Sequence, residues 1–74
     1  MRNSKITSIL ALAKTLNELE VEIKTMGISI YEYKKQGVNP YNIKLMEEEK
    51  IEKMMLLIEI ESIIENKIVE IAQG

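Results

Sequence analysis

Glu47-Glu48-Glu49 is the densest run of chemically capable side chains in this 74-residue sequence, and Tyr31, Tyr33 and Tyr41 are its only aromatic residues. Three carboxylates in succession suggest a hard-cation site, but such sites draw their oxygen ligands from loops that can wrap the ion. On a helix, consecutive residues point in three directions. The run therefore reads as a solvated face, with Glu49–Lys53 and Lys44–Glu48 at the four-residue spacing of helical ion pairs. Catalysis would need a nucleophile with its base, a metal set or a phosphate cradle. Cys, His and Asp are absent, and Lys, Ser, Thr, Tyr and Glu fall into no such arrangement. The sequence thus predicts no catalytic, cofactor-binding or metal-binding residue, and a protein that is not an enzyme. Of the tyrosines, Tyr33 and Tyr41 are expected to pack on each other, while Tyr31 is expected to meet a partner, since tyrosine is enriched at binding hot spots.

The element that would position these residues is the stretch Gly37-Val38-Asn39-Pro40. Glycine suits the left-handed residue that closes a helix, where a Cβ would clash. Asn39 is a good N-cap, and Pro40 a good first helical residue, because its missing N–H would have had no partner there. Val38 and Ile43 occupy the two positions of a hydrophobic staple. One helix is predicted to end here and a second to begin.

Upstream, Ile9, Leu12, Leu16, Leu19, Ile23, Met26, Ile30 and Tyr33 follow one another at alternating spacings of 3 and 4, an unbroken heptad seam. The seam keeps its phase across Gly27, so a single helix over 4–36 is expected, with Ser4 as its N-cap. Interior glycine weakens that helix by about 1 kcal/mol relative to alanine. Downstream, a helix over 40–72 carries Leu45, Met46, Leu56, Leu57, Ile60, Ile63, Ile64, Ile68 and Ile71 on one broad face. A turn of three residues, 37–39, makes the helices antiparallel neighbours. The expected architecture is all-α: one domain over 1–74, two long antiparallel helices in a coiled-coil-like hairpin, with Leu19 at the level of Leu57 and Ile9 at that of Ile68.

Charge supports the same register. Residues 1–39 carry six basic residues against four acidic ones, and residues 40–74 four against eight. Folding at the turn sets Arg2, Lys5 and Lys14 against the helix half that bears Glu59, Glu61, Glu65 and Glu70. The overall charge of −2 is too slight, and of the wrong sign, to predict a nucleic-acid partner. No apolar run reaches the ~18 residues of a membrane span, and nothing resembles a signal peptide. A soluble, unprocessed, cytoplasmic chain is expected, with no small-molecule substrate and no membrane insertion.

Apolar residues are left over when the seam is closed. Ile51, Met55, Ile58 and Val69 form a second strip on the downstream helix, and Ile6, Leu10, Ala13, Val21, Ile28 and Tyr31 a weaker one upstream. A hairpin partner covers one face only. A chain this short also struggles to bury enough surface alone. Surplus apolar surface marks an interface. Ile51, Met55, Ile58, Val69, Ile6, Leu10, Ile28 and Tyr31 are therefore the predicted partner-binding residues. They would complete a helical bundle with another helical protein or with a second copy of the chain.

Gly37, Tyr41, Ile43, Glu47, Ile51-Glu52, Met55 and Leu57-Ile58 follow a sequence of Gly, Tyr, aliphatic, Glu, aliphatic-Glu and a closing aliphatic cluster. This resembles the small helical-hairpin co-chaperones that stabilise the chaperone of the needle subunit in bacterial type III secretion. The likeness covers about 20 residues of the turn and second helix. It implies a cytoplasmic heterodimer with a larger helical-repeat chaperone, which in turn holds the needle subunit unpolymerised. Two other readings suit the same sequence: a self-associating four-helix-bundle structural protein, and a small phage- or plasmid-encoded binder or inhibitor of a host protein.

Overall fold

The computed structural model describes residues 2–73, with side chains from Ile6 onward. Two helices make up the fold, α1 (Arg2–Gln36) and α2 (Pro40–Gln73). They pack against each other as an all-α hairpin 55 Å long and 14 by 13 Å across. Helix α1 starts two residues before the expected Ser4 cap, so Ser4 lies inside its first turn, and its side chain is outside those described. Helix α1 runs without a break through Gly27.

The turn is built as its residues require. Gly37 has φ +74°, its N–H donates to the Lys34 carbonyl at 3.2 Å, and the Val38 N–H donates to the Tyr33 carbonyl at 3.1 Å. This nested pair of bonds is a Schellman closure of α1. Asn39 then caps α2: its side-chain oxygen accepts the Tyr41 N–H at 2.9 Å, and its backbone carbonyl accepts those of Asn42 and Ile43 at 3.0 and 3.2 Å. Val38 is half-buried and Ile43 buried, as a staple demands. Within α1, Thr15 and Thr25 satisfy their hydroxyls by donating to the carbonyls of Ala11 and Val21 one turn earlier.

The core is the α1 seam. From Ile9 to Ile30 each seam residue is buried or half-buried, and Leu19 and Ile30 are only 6% exposed. Opposite them the buried positions are Ile43 and Ile60, at 7% each. Glu22 meets Lys53, Gly27 meets Lys50, and Lys34 meets Glu47. These crossings run in opposite directions along the two helices, the antiparallel register that puts Leu19 near the level of Leu57 and Ile60.

The face that α2 presents differs from expectation. Leu45, Leu56, Ile63, Ile68 and Ile71 are exposed, although the sequence places them on the packed face. The inward positions are Ile43, Met46, Lys50, Lys53, Leu57, Ile60, Ile64 and Lys67, buried or half-buried at spacings that alternate between 3 and 4. Three lysines thus complete the second heptad seam. The apolar arc of α2 is wider than one helix can cover, so rotation is decided by the turn, which delivers Ile43 inward. Lysine tolerates such positions because its aliphatic stem covers apolar surface while the ammonium emerges.

Two other expectations change at the tip and along the edges. Tyr41 is 65% exposed and Tyr33 is also exposed, so the two rings do not close the tip against each other. Lys53 does not pair outward with Glu49; it turns across the hairpin to Glu22 at 3.5 Å. Glu47 is half-buried and pairs with Lys34 at 2.7 Å, while Glu48 and Glu49 are exposed. Arg2 and Lys5, expected opposite the acidic half of α2, lie outside the described side chains. Lys14 makes no ion pair among the described residues.

Candidate docking surface

Every one of the eight residues read as partner-binding is exposed: Ile6, Leu10, Ile28 and Tyr31 on α1, and Ile51, Met55, Ile58 and Val69 on α2. The fold brings three of them, Ile28, Tyr31 and Ile58, to one side of the hairpin. There a groove of about 630 Å³ runs between the helices, lined by Ile28 and Tyr31 from α1 and by Met54 and Ile58 from α2. Ile23 and Leu57, the outer edges of the two seams, form its floor together with Gly27. Glu20, Lys24 and Lys50 complete the rim.

The other predicted residues lie beyond the groove along the same two helices, and all are exposed. On a helix of 3.6 residues per turn, Leu10 lies five turns before Ile28 on the same line, and Ile51 and Val69 lie two and three turns either side of Ile58. Ile6 extends the α1 strip by a further turn, and Met55 stands at the outer edge of the α2 strip. The Lys34–Glu47 pair lies at the tip end of this side. Next to it Tyr31 carries the Lys35 ammonium over its ring, 4.9 Å from the centroid, so the aromatic face is held by a flexible cation.

Met54 is not among the residues the sequence singles out, although its spacing from Ile51 and Ile58 puts it on their strip. The neighbouring pair Met54-Met55 leaves open, from sequence alone, which of the two faces the groove. In the sequence Gly27 marks only a weak point of the helix. In the structure its missing side chain leaves room for Lys50: a Cβ there would stand 3.4 Å from the Lys50 ammonium.

Midway along this side the apolar strips are interrupted. Asn17 and Glu20 on α1 and Glu61 and Glu65 on α2 form a polar belt, and Leu10, Ile6 and Val69 resume the apolar surface beyond it. Among the described residues Lys24, Glu61 and Glu65 make no ion pair within the hairpin. The opposite side is different in kind. There α1 shows Glu18, Glu22, Thr25 and Ser29, and on α2 Leu45, Leu56 and Ile63 alternate with Glu49, Glu52 and Glu59.

For chemistry the surface offers little. No group of three or more potential metal-ligating side chains comes together among the described residues, and no buried side-chain polar atom among them lacks a partner. No helix in the described chain is long and apolar enough to cross a membrane. Compared with models of known protein families, with curated proteins and with solved structures, the chain matches none.

Proposed function

We propose that the chain is a non-enzymatic interaction module, a helical hairpin that completes a bundle by docking its apolar side onto other helices. The observation that carries this reading is the exposed apolar groove on one side of the hairpin, walled by Ile28 and Tyr31 of α1 and by Met54 and Ile58 of α2, while the opposite side is interleaved with glutamates. A surface so divided has one face for a protein partner and one for water. The thinness of the core supports it: four side chains fall below a tenth exposed, and none among the described residues is fully buried. Association would supply the burial that the hairpin lacks.

The resemblance of the turn and second helix to type III secretion co-chaperones supplies one concrete form of this reading. In it the partner is the needle-subunit chaperone and the setting the cytoplasm. The groove and its flanking strips would then lie against the chaperone's helical repeats.

The test is to purify the tagged chain from cells that express it naturally, alongside an Ile28→Glu/Ile58→Glu variant, and to weigh the native complex. The wild type is expected to carry a stoichiometric helical partner or a second copy that the variant loses. A wild-type chain recovered as a free, fully helical, thermally stable monomer would sink the reading.

A further inference from the structure

We propose that the occupant of the groove is an amphipathic helix of another protein that presents a single acidic residue midway along its apolar face. The inference rests on the interaction-module reading and gives the partner its chemistry. Two cations at the middle of an otherwise apolar groove carry it.

Lys24 of α1 and Lys50 of α2 both line the groove, and neither makes an ion pair among the described residues. Lys50 is half-buried, and its ammonium lies against Gly27, 3.4 Å from where a Cβ would stand. The glycine leaves that ammonium room on the groove floor. Lys24 precedes Gly27 by about 4.5 Å along the helix axis, so the two charges share one level of the hairpin. Glu20, the remaining charged group of the lining, stands a further turn toward the open end.

Apolar surface continues on both sides of this level, with Tyr31 toward the tip and Met54 and Ile58 toward the open end. A slot for an acyl chain would carry its cations at one end, where a terminal carboxylate emerges. Cations in the middle fit a side-chain carboxylate with apolar neighbours before and after it. A helix laid between two others supplies that pattern when the residues three and four places to either side of its acid are apolar. The α1 wall from Glu20 to Tyr31 runs about 17 Å, long enough to hold those positions together.

A second copy is a poorer match, because it would dock by the same surface. Centred on these lysines, a two-fold axis along the hairpin sets Lys24 against Lys50, and one across it sets each lysine against its own kind. Like charges oppose both arrangements, whereas an acidic helix neutralises the pair.

Calorimetric titration of the full chain with a synthetic stapled helix tests this. The probe carries leucine three and four places before and after one glutamate, and two control peptides carry glutamine or lysine in its place. The glutamate peptide is expected to bind one per chain, about tenfold tighter than the glutamine peptide, the scale of one charge-assisted hydrogen bond. Lys24→Glu combined with Lys50→Gln, with helicity checked by circular dichroism, is expected to reverse the preference in favour of the lysine peptide. Ile58→Glu is expected to abolish binding of all three. Equal binding of the three peptides by the wild type overturns the acidic partner and leaves the module reading intact, as does a preference that survives loss of both lysines. A dimer that Ile58→Glu dissociates and the glutamate peptide does not displace makes a second copy the occupant and overturns the proposal. Binding of no peptide overturns the helix in the groove, and the module reading then stands or falls by the native complex; a free, stable monomer there overturns both.

Discussion

The two internal glycines answer the same substitution with opposite signs, because their backbones differ. Gly27 is helical, and a Cβ there meets only the mobile end of Lys50 at 3.4 Å. Gly27→Ala is expected to stabilise the chain by about 1 kcal/mol through helix propensity. Gly37 has open space around it but a φ of +74°. Gly37→Ala should cost about 1 kcal/mol, from the left-handed backbone and not from a clash. Asn39→Ala removes the acceptor of the Tyr41 N–H and is expected to cost about 1 kcal/mol as well. Urea unfolding of the three variants at one protein concentration, followed by circular dichroism, measures all of these.

At the scale of the helix, the two seams are unequal, and that inequality is open to test. The α1 seam is apolar throughout, so Leu19→Asp, a charge at a position 6% exposed, is expected to unfold the hairpin or drive it to a weakly helical state. Near-native helicity in that variant would refute the seam. The α2 seam contains Lys53, whose side chain is 27% exposed and whose pairing with Glu22 is an edge contact. Such a pair contributes at most about 1 kcal/mol. Lys53→Met keeps the stem and adds apolar contact, so its stability in urea should equal or exceed that of the wild type. A loss of several kcal/mol would show the ion pair to be a structural anchor.

For the whole molecule, a hairpin with a thin core should gain stability from association, and mass action gives that gain a signature. The Tm of the wild type is expected to rise with the concentration of added acidic helix, and that of Ile58→Glu to be independent of it. A wild-type Tm that the helix does not raise would mean that the groove is not where it docks. Opposite faces of one thin molecule thus make different predictions: substitutions on the groove side are expected to change association, and those on the side bearing Glu49, Glu52 and Glu59 to leave it unchanged.

Much of this protein was decided by local rules that act within a few residues. The stop at Gly37, the cap at Asn39, the heptads of α1 and the antiparallel register all follow from backbone sterics and from spacing, and each is legible in the sequence alone. The surplus apolar strips are legible too, since helical periodicity separates Ile51 and Ile58 from Ile60 and Ile64 without reference to a partner. Only the tertiary structure decided which part of the wide apolar arc of α2 turns inward. Many rotations bury comparable area, and the turn, by delivering Ile43 to α1, selects one that seats Lys50, Lys53 and Lys67 on the seam and leaves Leu56 and Ile63 wet. Tertiary structure also decided that Ile28 and Tyr31 of one leftover strip and Ile58 of the other line a single groove. The strips belong to different helices, and their relation depends on how each is rotated about its own axis, which no periodicity within a single helix records.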